Sequence, residues 1–227
     1  MDTILKIEKL KFGYVKDKII LDIENLTIKK NKIYLLLGKN GSGKTTLLKI
    51  LAGLIKTKDI KLYLKDKQSN SIRKALKQKT VYVHQHPIML MGDVFYNIAY
   101  PLKIVGTKKD EIMNQVNPII AKLSIDHLSS KNSREISTGE AQKVAIARAI
   151  TTNREILLLD EPIANIDKDS LLKIEGLLLE QKKSKTIILS SHNTFLDYRM
   201  CDYIITLENG RTLENAKTLK NGIIQKK

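Results

Sequence analysis

Residues 33–46 read IYLLLGKNGSGKTT, and this stretch decides the fold. The first five residues are nearly all apolar, which is typical of a strand that is buried on both faces of a parallel sheet. Glycines follow at positions 38, 41 and 43, and a helical pattern runs from Thr45 to Leu54. The stretch therefore predicts a strand, a glycine-rich turn and a helix in direct succession.

The turn matches the pattern G-x-x-x-x-G-K-[ST] without a gap, and its flanking strand and helix disfavour a chance match. Glycines let the backbone wrap phosphates with its N–H groups, and the helix N-terminus adds a positive dipole. Lys44 is expected to reach the β- and γ-phosphates, and Thr45 to offer its hydroxyl to Mg²⁺. The candidate nucleotide-binding residues here are Gly38, Asn40, Gly41, Ser42, Gly43, Lys44, Thr45 and Thr46.

A second apolar run, Ile156–Leu159, is followed directly by two carboxylates, Asp160 and Glu161. Parallel-sheet proteins bind ligands at the carboxyl ends of their strands. Asp160 is the candidate Mg²⁺ ligand, and Glu161 is the candidate general base that polarises the attacking water. Taken alone, such a run is a common strand exit; the phosphate-binding pattern elsewhere in the chain favours the functional interpretation.

Hydrophobic periodicity places further strands and helices along the chain. Strands are predicted at Ile4–Phe12, Ile19–Ile28, Ile60–Leu64, Thr80–Val83, Thr186–Leu189 and Tyr203–Leu207, with a lysine-rich loop between the third and fourth of these. Helices are predicted over 94–125 with breaks at Pro101, Gly106 and Pro118, and at Gly139–Thr151, Leu171–Gln181 and Thr194–Met200. Asn209-Gly210 predicts a hairpin turn, and Asn221-Gly222 a second turn.

Strands that alternate with helices predict an α/β fold with a mainly parallel sheet. The strand-rich first 30 residues predict an antiparallel β subdomain, and the helical stretch at about 86–150 predicts an inserted helical subdomain. We expect one domain over residues 1–227. Only 17 residues follow Gly210, so no C-terminal regulatory domain is expected.

The net charge of +16 has two explanations, an anionic partner or a general bias towards lysine. Arginine is rare and the lysines are scattered, whereas sequence-specific nucleic-acid sites favour arginine forks. We therefore expect no specific nucleic-acid partner. Cys201 is the single cysteine, no apolar run approaches the roughly 20 residues of a membrane-spanning helix, and no signal peptide is visible.

Residues 136–150 read ISTGEAQKVAIARAI, and Ser137 is well placed to cap the helix that begins near Gly139. The segment closely resembles the signature of ATP-binding-cassette (ABC) ATPases, which is usually written LSGGQ, and departs from it at Ile136, Thr138 and Glu140. The resemblance covers essentially the whole chain and implies a P-loop NTPase core. It also implies that Ser137, Gly139 and Glu140 contact ATP held by a second subunit, in a head-to-tail homodimer.

The same resemblance carries over three further residues. Tyr14 corresponds to the aromatic that stacks on adenine, although a surface tyrosine in a turn is the plainer alternative. Gln85 corresponds to the glutamine that contacts Mg²⁺ and links the site to the helical subdomain. His192 corresponds to the histidine near the γ-phosphate, and residues 164–167 take the place of the D-loop, with Asp167 as its last residue.

The resemblance implies ATP hydrolysis at the cytoplasmic face of a membrane, with permease subunits and a substrate-binding protein as partners. Lys44, Gln85, Glu161 and His192 are the expected catalytic residues, and Thr45, Gln85 and Asp160 the expected Mg²⁺ ligands. A nucleic-acid or translation ATPase of the same superfamily is the alternative. The length of 227 residues leaves no room for the coiled coil or second cassette of those classes.

The cargo follows from resemblance alone, because the ATPase does not touch it. The segments 84–104 and 137–142 resemble ATPases of oxyanion importers, particularly the tungstate/molybdate group, with phosphate and amino-acid importers as the alternatives. Apolar residues at 88–91 and 94–96 are expected to receive a helix of a membrane subunit, although some of them could belong to an internal core.

Overall fold

A computed structural model describes residues 2–15, 17–65, 67–68, 71–163, 166–192, 200–220 and 223–224. The predicted helix Thr194–Met200 and the predicted turn Asn221-Gly222 lie largely outside these residues. Within them, no helix is long and apolar enough to cross a membrane.

The described elements follow one another along the chain as strands and helices. The strands are β1 (Thr3–Phe12), β2 (Leu21–Ile23), β3 (Leu26–Lys29), β4 (Ile33–Leu37), β5 (Asp59–Leu64), β6 (Lys67–Gln68), β7 (Thr80–Val83), β8 (Ile156–Leu159), β9 (Thr186–Ser191), β10 (Tyr203–Glu208), β11 (Arg211–Lys220) and β12 (Ile223–Ile224). The helices are α1 (Lys44–Leu51), α2 (Ile72–Lys79), α3 (Val94–Ile104), α4 (Lys109–Leu123), α5 (Thr138–Ile150) and α6 (Lys168–Gln181), with a 3-10 turn at Asp126–Leu128.

Two sheets organise these strands. In the larger sheet the order is β12-β11-β10-β4-β9-β8-β7, and β10, β4, β9 and β8 run parallel to one another. In the smaller sheet β1 pairs antiparallel with β2, β3 and β5. The predicted α/β fold with a mainly parallel sheet and an antiparallel β part at the N-terminus is confirmed.

The chain forms two compact units. The first comprises Met1–Tyr82, Arg154–Asp160 and Ser184–Lys227, and holds both sheets, α1 and α2. The second comprises Val83–Asn153 and Glu161–Lys183, and holds α3 to α6. The domain boundaries drawn from the sequence, a single domain with a helical part at about 86–150, stay a prediction.

The core of the first unit fixes the strands that matter most for the site. All four residues of β8 are buried, as are the first four of β4. Leu36 of β4 and Leu158 of β8 belong to the same apolar cluster as Leu47 and Leu48 of α1. Burial on this scale contributes about 1.5–3 kcal/mol for each large aliphatic side chain, so the ends of these strands are held firmly.

Two strand-level predictions were wrong. The single strand predicted over Ile19–Ile28 is two short strands, β2 and β3, because Asn25 between them has a positive φ of 55°. A turn of this kind is tolerated by asparagine and interrupts the extended backbone. The lysine-rich segment after β5 is not all loop, since it contains α2, which buries little more than Leu76.

The two proline breaks were also wrong, whereas the break at Gly106 is confirmed between α3 and α4. Pro101 lies inside α3 and Pro118 inside α4. Proline removes one helical N–H donor and crowds the preceding turn. In α3 the hydroxyl of Thr151 donates to the carbonyl of Ile98 at 2.9 Å, and the buried side chains of Ile98 and Leu102 hold the helix in place.

The hairpin between β10 and β11 is confirmed. Glu208 pairs with Arg211, and Asn209 and Gly210 both have positive φ angles, 47° and 78°. Gly210 also approaches the neighbouring backbone closely, since a Cβ atom there would lie 2.0 Å from the carbonyl oxygen of Ile20.

We expect Gly210→Ala to lower the free energy of unfolding by about 2–4 kcal/mol, because it adds a backbone clash to the strain of a positive φ. Gly106→Ala is the matched control. It has the same φ of 78° but open space around the new methyl group, so only the strain of about 1 kcal/mol applies. Urea denaturation measures both. Equal unfolding midpoints for the two variants would contradict the close approach at Gly210.

Candidate functional site

The glycine-rich turn lies between the end of β4 and the start of α1. Gly43 is the N-cap of α1 with φ 106°, and no side chain caps the helix. The first backbone N–H groups of α1 are therefore left to a ligand, with the helix dipole behind them. A Cβ atom at position 43 would lie 2.7 Å from the side chain of Leu21, so the turn packs tightly against the start of β2.

Two polar side chains of the turn are buried. The ammonium group of Lys44 donates to the carbonyl oxygens of Gly38 at 2.7 Å and Lys39 at 3.3 Å, which keeps it within the loop. The hydroxyl of Ser42 is buried and, among the residues that the structure describes, it and the amide nitrogen of Gln142 have no hydrogen-bond partner. A buried hydroxyl in a loop of N–H donors fits a phosphate oxygen well.

Asp160 lies at the carboxyl end of β8 and is 1% exposed. The hydroxyl of Tyr82 donates to its Oδ2 atom and the hydroxyl of Ser190 to its Oδ1 atom, each at 2.7 Å. Burial raises the pKa of Tyr82, and the hydrogen bond to Asp160 raises it further. No sequence pattern indicates Tyr82 and Ser190, although both lie on strands adjacent to β8.

The oxygen donors of this unit fit Mg²⁺. Thr45 offers a hydroxyl at the start of α1, and Asp160 offers a carboxylate at the end of β8. Both are hard oxygen ligands of the kind that Mg²⁺ prefers, and Mg²⁺ usually completes its shell with phosphate oxygens and water.

Tyr14 and His192 also belong to the first unit. The hydroxyl of Tyr14 lies 3.4 Å from the Thr46 hydroxyl, and its ring packs edge-on against Phe12 at 5.0 Å. The contact with Thr46 places Tyr14 beside the glycine-rich turn and the start of α1. Its side chain is 60% exposed, so much of its surface is open to stacking. His192 is exposed and directly follows β9.

Gln85 and Glu161 meet in the second unit. The side-chain amide of Gln85 donates to Glu161 Oε2 at 2.9 Å. Glu161 has a positive φ of 45°, a conformation that is strained for a residue other than glycine. Strain of this kind is retained where the surrounding structure requires one orientation of a side chain.

The signature segment forms a reciprocal cap at the start of α5. Ser137 Oγ accepts a hydrogen bond from the Glu140 N–H at 3.3 Å, and Glu140 Oε2 accepts one from the Ser137 N–H at 2.7 Å. The hydrogen bond from the Ser137 N–H, and after it the Ser137 side chain, hold the pKa of the Glu140 carboxyl below its ordinary value. The capping role of Ser137 is confirmed, and Glu140 has a structural role that was not predicted from the sequence.

Asp167 caps another helix of this unit, since its carboxylate accepts from the Ser170 N–H at 2.9 Å at the start of α6. That bond is the main cause of a lowered pKa for Asp167. Ala164 and Asn165, which precede it in the predicted D-loop, lie outside the described residues.

The apolar segment after Gln85 is exposed and tied to α5. Ile88 and Met91 are largely exposed, at 61% and 76%. The guanidinium of Arg148 donates to the Ile88 carbonyl at 2.6 Å and to Asn97 Oδ1 at 3.1 Å. Asn97 is buried and bonds both the N–H and the carbonyl of Leu90. The segment is thus held by polar contacts, while the side chains of Ile88 and Met91 face outwards.

Comparison with known proteins gives a family match and close relatives. Residues 21–164 match the family described as ABC transporter. The chain is 41% identical to the tungstate uptake system ATP-binding protein TupC of Peptoclostridium acidaminophilum, over 85% of this chain and 89% of that protein. It is 34% identical to the phosphate import ATP-binding protein PstB of Saccharolobus solfataricus, over 92% of this chain and 86% of that protein.

Several other relatives are longer, and the chain spans 46–62% of their length. Among solved structures, cbiO1 of Clostridium perfringens, part of the ABC transporter complex cbiONQ, superposes with a TM-score of 0.83. That chain is 28% identical, and the match covers 94% of this chain and 88% of that one.

We expect Glu140→Ala to lower the free energy of unfolding by about 0.5–1 kcal/mol at pH 7, because the Ser137 N–H loses its acceptor. The folded-state pKa of Glu140 is depressed, so this contribution is fully present above the ordinary pKa of 4.5 and is lost as the pH falls through the lower folded value. The difference between parent and variant should therefore shrink below about pH 4.5.

Thermal unfolding between pH 7 and pH 3.5 measures this difference. Glu111→Ala is the matched control, since Glu111 holds the same third position in α4, where the N-cap Lys108 makes no side-chain cap. A pH-independent difference for Glu140→Ala, or an equal effect of Glu111→Ala, would contradict the reciprocal cap.

Proposed function

Because the chain belongs to the ABC transporter family of ATPases, we propose that it hydrolyses ATP to drive import across a membrane. The observation that carries the proposal is the shared edge of the parallel sheet. There β4 ends at the phosphate-binding turn and β8 ends at the doubly hydrogen-bonded Asp160. A nucleotide phosphate and its metal belong at such an edge.

Each candidate site residue has a separate role in the proposed hydrolysis. The turn 38–43 and Lys44 bind the phosphates, Thr45 and Asp160 would hold Mg²⁺ with Gln85, and Tyr14 stacks on the adenine. Mg²⁺, when bound, neutralises charge on the phosphate oxygens. Glu161 orients the attacking water and takes its proton, Gln85 holds the Glu161 carboxylate, and His192 stabilises the γ-phosphate.

A second copy of the chain completes each site in this proposal. The capped N-terminus of α5, with Ser137 and Gly139, presents backbone N–H groups that suit the γ-phosphate of ATP held by the partner. Glu140 supports this surface by fixing the Ser137 backbone. ATP then favours the closed homodimer, and hydrolysis reopens it.

The relatives support a proposal for the partners and the cargo. We place the subunit at the cytoplasmic face of a membrane, with permease subunits and a substrate-binding protein. Tungstate or a similar oxyanion is the proposed cargo, supported by the 41% identity to a tungstate uptake ATPase. Phosphate is the second candidate, supported by the 34% identity to a phosphate import ATPase.

Glu161→Gln should abolish hydrolysis and convert the chain into a stable dimer in Mg-ATP, because the side chain keeps its shape but loses the base. Light scattering with and without Mg-ATP measures the change of mass. Glu180→Gln, a surface carboxylate that pairs with Lys122, is the control and should keep the parent's hydrolysis rate. A Glu161→Gln variant that still hydrolyses ATP at the parent's rate would rule out the assigned base.

The cargo and the coupling surface can be tested in one transport assay. Cells that lack this gene should accumulate less tungstate, measured by mass spectrometry of the metal, and the parent gene should restore it. Met91→Glu should fail to restore uptake while the purified variant keeps its basal ATPase, because a charge prevents apolar docking of a membrane subunit.

Met113→Glu is the matched control, since Met113 is also exposed, at 42%, but lies on α4 away from the segment 88–91 in sequence. Uptake restored by Met91→Glu would refute the coupling surface. Normal tungstate uptake with impaired phosphate uptake in the deleted cells would replace tungstate by phosphate as the cargo.

A further inference from the structure

Two hydroxyl groups enclose the carboxylate of Asp160. Tyr82 OH lies 2.7 Å from Oδ2 and Ser190 Oγ lies 2.7 Å from Oδ1, so each carboxylate oxygen accepts one short hydrogen bond. The donors come from opposite sides, since β7 and β9 flank β8 in the sheet. Asp160 is 1% exposed and Ser190 is fully buried, so water has little access to the group.

This arrangement limits how the carboxylate can turn. A carboxylate has about four lone-pair directions, and the two hydroxyls occupy one on each oxygen. Rotation about the Cβ–Cγ bond would break both bonds in a site from which water is largely excluded, where an unpaired polar group costs about 1–3 kcal/mol. The remaining lone pairs of Asp160 are therefore held in one direction.

We propose that Tyr82 and Ser190 are positioning residues that aim the carboxylate of Asp160 at the metal ion accompanying ATP. The inference rests on the proposed function, because it requires Asp160 to be a metal ligand. Neither hydroxyl needs to touch the metal or the nucleotide. Their effect is to orient a ligand in advance, as outer groups around metal-binding side chains commonly do.

A purely structural role for these bonds makes a different prediction. If the two hydroxyls only satisfy a buried carboxylate, removing one should lower stability and leave the metal dependence of nucleotide binding unchanged. If they aim the carboxylate, removing one should weaken specifically the part of nucleotide binding that requires the metal. The two roles are therefore separated by comparing nucleotide binding with and without metal.

The test measures the affinity of a fluorescent, non-hydrolysable ATP analogue in saturating Mg²⁺ and in EDTA. The dissociation constant in EDTA divided by the dissociation constant in Mg²⁺ gives the contribution of the metal to binding. This ratio does not depend on hydrolysis. Tyr82→Phe and Ser190→Ala should each reduce this ratio by about tenfold, with affinity in EDTA unchanged. Ser190→Thr, which keeps the hydroxyl, should retain the parent's ratio.

Tyr63→Phe is the matched control, because the Tyr63 hydroxyl also donates to a carboxylate, Glu8, at 3.3 Å, in the antiparallel sheet. Its ratio should equal that of the parent. Thermal unfolding checks that each variant is folded, and Ser190→Ala provides the second test if Tyr82→Phe is not.

An unchanged ratio in Tyr82→Phe and Ser190→Ala would overturn the inference, as would an equal loss of affinity in Mg²⁺ and in EDTA. Failure of the proposed function has a different result. A parent that binds the analogue with a metal-dependent ratio but hydrolyses no ATP would contradict the ATPase role and leave the positioning of Asp160 intact.

Discussion

The register of three parallel strands is the constraint on which the site depends. Leu37 of β4 pairs with Ser191 of β9, and Leu159 of β8 pairs with Leu189 of the same strand. Because the strands run in the same direction, the turn at Gly38, the carboxylate of Asp160 and the imidazole of His192 all follow strand ends at one edge of the sheet. Burial of these strands on both faces makes a slip in register costly.

The sequence predicts this edge well because its signals are local. An apolar strand, a gap-free glycine pattern and a helix occur together at 33–54, so the fold of the phosphate-binding turn follows from adjacent residues. The start of the helix near Ser137 and Gly139 is predicted for the same reason, since a capping residue acts on backbone groups within one turn of itself. The hairpin at Asn209-Gly210 is predicted for the same reason.

What the sequence does not predict depends on contacts between distant residues. Tyr82 and Ser190 meet Asp160 only because β7, β8 and β9 are neighbours, and no spacing along the chain indicates this. Helix α3 continues through Pro101 and is also held from a distance, since the hydroxyl of Thr151, 50 positions after the proline, donates to the carbonyl of Ile98. Arg148 likewise reaches back to Ile88, which links the outward-facing segment after Gln85 to the signature helix.

In the proposed dimer, one chain binds ATP through Lys44 while a second chain completes the site through Ser137. Mixing Lys44→Ala and Ser137→Ala variants tests it directly, with ATP hydrolysis followed by phosphate release. Each variant alone should be inactive, and the mixture should regain part of the parent's rate, because the mixed dimer contains one intact site. A mixture as inactive as its components, or a fully active Ser137→Ala variant, would contradict the shared site.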